Sequence, residues 1–365
     1  MARFSLLFAL VLASAACGAA TDAAAPRATE TAKEAALPVR MPEPGHGRGV
    51  SALAQNAACE GCHREVAAEW RASLHRVSES SPTYRRAFVF EPMPFCTRCH
   101  APEAEDPAAE VAPAVAEVGV GCVTCHVVDG EILAAPAASG TTSDGTTHAV
   151  RRDARFATAD ACASCHEFEF PDRASRSKPE FMQSTISEFR ASPFASGSCA
   201  DCHMPKGPGN RRSHDFSVSR NEAMVRSAAR VEASRPSASR VIVRFTPGEI
   251  GHAFPTGDLF RRIEVLAEVV GEEYSLVEDK AVYLARHFES RKTRFATTRV
   301  LAKDDRVFPG SGQVSVVELS LGPLAEGRSV AYRVAYQRVD NTRRVDDRDA
   351  PMDGEIVLAQ GVLPP

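Results

Sequence analysis

The sequence predicts a multidomain fold: a mostly helical or irregular region followed by an all-β sandwich-like domain. Three observations carry this reading. Cysteine and histidine concentrate between residues 59 and 203 in a repeated five-residue pattern. The same stretch shows few strand signals. After Arg235-Pro236 the chain turns to short alternating or β-branched runs separated by Gly, Pro and Asp clusters, as expected for strands of a sandwich.

In chain order, residues 1–17 read as an export signal. Arg3 is a minimal positive start, Phe4 to Ala13 is apolar, and Ser14-Ala15-Ala16 supplies small residues before a cut. The apolar run is too short for a comfortable membrane span. Cys17 follows directly and looks like the lipidated cysteine of a bacterial lipoprotein, although Ser14 stands where that signal usually carries Leu. The alternative is ordinary signal cleavage near the same place. Residues 18–50 are rich in Ala, Pro, Gly and Thr and read as a flexible tether.

Residues 51–235 hold the repeated pattern. It reads Cys59-Glu-Gly-Cys62-His63, Cys96-Thr-Arg-Cys99-His100, Cys122-Val-Thr-Cys125-His126, Cys162-Ala-Ser-Cys165-His166 and Cys199-Ala-Asp-Cys202-His203. Each is an attachment motif for c-type haem. The two sulfurs bond the porphyrin edge and the adjacent imidazole coordinates iron. Zinc does not need a histidine directly after each cysteine pair. Disulfide frameworks do not repeat that histidine five times. The motifs take ten of the eleven cysteines, so five covalent haems are expected. Helical fragments are expected at Glu65 to His75, Gln183 to Ala191 and Asn221 to Ala233. With little conventional core, the haems themselves would be the apolar filling.

Each haem iron has a second side. Besides the motif histidines the chain carries His46, His75, His148, His214, His252 and His287. That supply nearly matches five irons and favours mostly bis-histidine ligation. His75 lies twelve residues after His63 in an expected helix, too far along a rise of about 1.5 Å per residue to return to its own iron. His214, His148 and His252 follow as candidates, then His287, with His46 last. Met93, Met182 and Met204 are alternative thioether ligands. His252 would clamp the second domain onto the haem core.

Residues 236–365 form the sandwich-like domain, with strands expected at Arg240 to Phe245, Ile263 to Val270, Val314 to Leu321, Val330 to Val339 and Glu355 to Val362. One internal echo appears. Glu69-Trp-Arg-Ala-Ser-Leu-His75 and Glu188-Phe-Arg-Ala-Ser-Pro-Phe194 agree in kind at five positions, with Phe194 where His75 would stand. Net charge is −4 and neither half is strongly one-signed, so no nucleic-acid partner is expected. Haem propionates would make the holoprotein more acidic and bias it towards basic patches on redox partners.

Cys59 to His75, a Cys-x-x-Cys-His followed by Trp-x-x-Ser-x-His, resembles the multihaem cytochromes of the c-554/c-552 type. So do Phe95 to His100, Gly119 to His126 and Cys202-His-Met-Pro205. The resemblance implies an exported electron-transfer protein with packed haem pairs, served by redox protein partners or a quinol-linked donor. The segment Gly251-His-Ala-Phe-Pro-Thr-Gly257 looks like part of an appendage seen in some relatives. The fifth motif and this appendage depart from a plain tetrahaem pattern. Two other functions are open: an oxidoreductase of the nitrite or hydroxylamine kind with one open haem, and a surface subunit of a larger electron conduit.

Overall fold

The computed structural model describes residues 46–365 except 137–146, 172–179, 217–219, 273–274, 293–296, 311 and 341–343. The expected export signal, Cys17 and most of the expected tether lie outside the described residues. No helix among the described residues is long and apolar enough to cross a membrane.

The first half is a set of short helices joined by turns. Val50–Cys62, Pro94–His100, Cys122–His126, Asp160–His166 and Cys199–His203 each end at or just before a motif histidine. Between them lie Arg64–Arg71, Pro82–Phe90, Pro113–Val118 and Thr185–Arg190. Pro82, Pro94 and Pro113 open their helices, where a missing N–H costs nothing and the fixed φ is already helical.

The helix expected through His75 stops at Arg71. His75 sits in the turns that follow. Its carbonyl accepts the amide of Val120 at 2.9 Å and that of Ser78 at 3.3 Å. Gly119 makes that approach possible. It adopts φ 55°, and a Cβ there would lie 2.6 Å from the His75 carbonyl oxygen and from Ser78 Oγ.

The expected helix over Asn221 to Ala233 is corrected. Only Glu222–Ser227 is helical, and Ala229–Ser237 is the first strand of the β layer. It pairs antiparallel with Arg240–Pro247, which pairs on its other side with Ser315–Ser320. Cross-strand pairing overrides the local helical preference. A second sheet runs in the order Met352–Leu363, Val330–Val339, Arg261–Val270, Leu276–Leu284. Val241, Val243 and Phe245 of the first sheet are fully buried. So are Ile263, Val265, Ala267 and Val269 of the second. All belong to one apolar cluster, so the two sheets face each other as a sandwich.

The strand Leu276–Leu284 and the hairpin Arg286–Lys292 with Thr297–Asp304 are additions to the expected set. The loop carrying His252 leaves the first sheet after Pro247. Phe254 ties it down, exchanging backbone bonds with Val307 at 2.7 and 2.9 Å.

Candidate functional site

All five motifs are built the same way. The two cysteines of each are three residues apart on or ending one helical turn, so their sulfurs project to the same side. The chain then leaves the helix at the histidine or just after it. The ten motif cysteines are free thiols, standing in for the sulfurs that would bond a porphyrin.

Four motif histidines each face a second histidine. Ring centroids lie 6.2 Å apart for His63 and His148, 6.3 Å for His75 and His166, 6.4 Å for His126 and His214, and 5.9 Å for His203 and His252. These separations are too long for direct bonding between the rings. Two imidazoles on opposite sides of one metal, each bonded at about 2 Å, bring their ring centres to roughly 6 Å. No group of three or more His, Cys, Asp or Glu side chains among the described residues could hold a metal ion. Facing pairs therefore fit axial ligation of a porphyrin-held iron rather than a tetrahedral zinc site.

The hydrogen bonds point the same way. A histidine that holds a metal through Nε2 usually donates its Nδ1 proton to a fixed acceptor. Nδ1 of His126 meets the Leu133 carbonyl at 2.8 Å, and Nδ1 of His100 meets that of Ser78 at 2.7 Å. Nδ1 of His214 meets Arg212 O and that of His252 meets Ala253 O, both at 3.0 Å. His148 Nδ1 lies 3.3 Å from Ala149 O. His166 differs: the atom facing its Nδ1 is the Gln183 amide nitrogen, a donor, 3.0 Å away. Nδ1 of His203 is buried with no hydrogen-bond partner. Burial pushes the His75 imidazole down to about 3 and that of His203 to about 4. It also lowers His100, His166, His214 and His252. All six are kept neutral at ordinary pH, the form that binds a metal.

The other two histidines are turned differently. His46 uses Nε2 on the Thr124 carbonyl at 3.1 Å, and His287 uses Nε2 on Asp305 at 3.1 Å. Neither is paired with a motif histidine among the described ring contacts. His287, expected as a distal ligand, thus lies with an aspartate on the hairpin. The motif histidine left without a histidine opposite it is His100. Its ring instead stacks on Tyr84, centroids 3.7 Å apart and planes 10° from parallel. Sequence reasoning missed Tyr84 and Gln183. Nothing in their local sequence marks them, because both act across turns.

The motifs converge at their sulfurs. The sulfur of Cys99 lies near that of Cys165, and that of Cys162 near that of Cys199. Burial pushes the Cys125 thiol up to about 12, with nearby Cys165 adding to it. Burial likewise raises Cys122 to about 11, with Cys59 contributing. The fourth motif therefore adjoins the second, third and fifth, while the first adjoins the third.

Comparison with known proteins agrees with this geometry. Residues 58–127 match the family described as cytochrome c554 and c-prime. Over that stretch the chain is similar to the c554/c552-like multihaem cytochromes. A crystal structure of a penta-heme cytochrome c552 from Thermochromatium tepidum shares its fold. The TM-score is 0.65 at 19% identity, covering 87% of this chain and 99% of that one. No curated protein matches the sequence. The residues present fit haem c, which when bound supplies one-electron chemistry at iron.

Proposed function

We propose that this protein is a c554/c552-like multihaem cytochrome, an exported electron relay with five covalent haems, four of them held by two histidines each. The pairs would be His63 with His148, His166 with His75, His126 with His214, and His203 with His252. The observation that carries this reading is the spacing of the four ring pairs, 5.9 to 6.4 Å. An iron held between two imidazoles has no open position and changes its geometry little on reduction, which suits rapid relay. Residues 51–235 would form the haem domain, with the sandwich-like domain bolted to it through His252. Export follows from the chemistry, since covalent c-type haem is attached outside the bacterial cytoplasm. Lipidation at Cys17 would hold the protein at a membrane surface. Replacing Cys17 with Ser is then expected to release it into the soluble exported fraction.

A second reading is favoured by one observation. His100 faces Tyr84 rather than a histidine, and the two spare histidines, His46 and His287, are engaged elsewhere through Nε2. The iron at that motif would then lack a second histidine and offer a position to a small ligand, as an oxidoreductase requires. The intact mass should exceed that of the processed chain by five haems. Electron spin resonance of the oxidised protein should show four low-spin irons and one high-spin iron that cyanide converts. Five low-spin irons untouched by cyanide would leave only the relay, with a methionine such as Met93 or Met182 completing the site. Three or more high-spin irons would contradict the pairing itself.

A further inference from the structure

The internal echo in the sequence is also an echo in structure. Trp70 and Phe189 are both buried, as are Ala67 and Ile186 one turn earlier and Ser73 and Ser192 three residues later. Both helices end on the same bond: the Ser73 amide to the Trp70 carbonyl at 2.9 Å, and the Ser192 amide to the Phe189 carbonyl at 3.0 Å. The arginine of each copy pairs with an acid of its own motif region, Arg71 with Glu60 and Arg190 with Asp160. Each copy is thus tied back to the Cys-x-x-Cys-His that precedes it.

The glutamate of each copy reaches the other way. Glu69 is gripped by both terminal nitrogens of Arg211 at 2.8 Å, and its Oε2 also accepts the backbone amide of His214 at 2.9 Å. Glu188 accepts the amide of Ala253, directly after His252, at 3.2 Å and the Thr256 hydroxyl at 2.9 Å. Its other oxygen takes buried Arg306 at 2.7 Å, and that arginine also donates to the Pro255 carbonyl at 3.1 Å. In both copies one carboxylate therefore joins an arginine to the backbone of a loop that carries a histidine facing another motif.

We propose that Glu69 and Glu188 are positioning residues for distal histidines: Glu69 fixes the His214 loop and Glu188 fixes the His252 loop. The inference rests on the reading that His214 and His252 hold irons. It gives the repeat unit a physical task. The arginine anchors a helix to its own haem motif, and the glutamate sets the ligand geometry of a neighbouring one. A carboxylate with two oxygens accepts the arginine fork and a backbone amide together. An amide side chain has only one oxygen and cannot do both.

The test uses the full holoprotein. His214→Ala and His252→Ala first mark which low-spin signal belongs to each histidine, by turning it high-spin. Glu69→Gln is then expected to shift the potential and the low-spin signal of the His214 iron alone. Cyanide should capture that iron about 10-fold more readily, the usual scale of a lost outer partner. Glu188→Gln should do the same to the His252 iron alone. Glu69→Asp and Glu188→Asp, which keep the charge but shorten the reach, should reproduce the pattern and serve if the Gln variants accumulate poorly. Variants that melt earlier while every signal, potential and cyanide rate stays at wild-type values would overturn the positioning role. If neither His→Ala variant yields a high-spin iron, the ligand reading fails first and the proposal falls with it.

Discussion

An imidazole can serve a metal or a hydrogen bond with the same nitrogen, and the occupied atom reveals the choice. His126, His214 and His252 spend Nδ1 on main-chain carbonyls and keep Nε2 clear of them, whereas His46 and His287 spend Nε2. Replacing His252 with Ala should convert one iron from low to high spin. Replacing His287 with Ala should leave the spin count unchanged and only loosen the hairpin near Asp305. Spin resonance on the two variants checks both halves of that expectation. The motif histidines were legible in the sequence because their chemistry is contiguous. The facing histidines were legible only as a supply, because counting residues says nothing of which nitrogen is free. Tyr84 was not legible at all: its stacking on His100 joins a helix to a motif sixteen residues on.

Among the elements, the strands with clean alternation were legible and those with charged centres were not. Leu276–Leu284 carries Glu278, Asp279 and Lys280 in its middle, and Arg286–Lys292 is largely charged. Such strands form because a neighbour pairs with them, not because of their own pattern. Two predictions belong at this scale. Gly119→Ala would place a Cβ against the His75 carbonyl at positive φ, which should cost about 1–3 kcal/mol; a lowered melting temperature and a disturbed His75 signal are the readouts. The second concerns Asp353, which accepts a bond from Thr83 Oγ1 at 2.6 Å and so joins the helix Pro82–Phe90 to the strand Met352–Leu363. Burial pushes Asp353 up, but bonds from Thr83 and Arg338 and the charge of Arg220 bring it below the usual aspartate value. A lowered carboxyl stabilises the fold fully above the unfolded value of about 3.9 and loses that contribution as pH falls through the folded value. Denaturant unfolding between pH 6 and 3 should therefore show a steeper acid loss in the native protein than in Asp353→Asn.

In the whole molecule, apolar packing is unevenly shared. The sandwich has one continuous cluster drawn from both sheets. The motif region has small ones, such as Ala159, Ala163, Ile186 and Phe189, or Ala52, Val123 and Val127. Its order should therefore depend on covalent haem. A chain with all ten motif cysteines replaced by Ala should keep strand signal in far-ultraviolet circular dichroism and lose most of its helix signal; retention of the full helical signal would contradict this. The convergence of sulfurs has a further consequence. In the proposed relay, current entering from the second, third or fifth motif would meet the fourth, and that site would act as a junction. It is also where Nδ1 of the motif histidine meets a replaceable side-chain donor, the Gln183 amide nitrogen, rather than a fixed peptide oxygen. Exchanging Gln183 for Glu should put an acceptor in place of that donor, make His166 a stronger ligand and lower that one potential, which a redox titration would resolve. The network would then carry its throttle at its crossroads, adjustable by a single codon without moving the backbone.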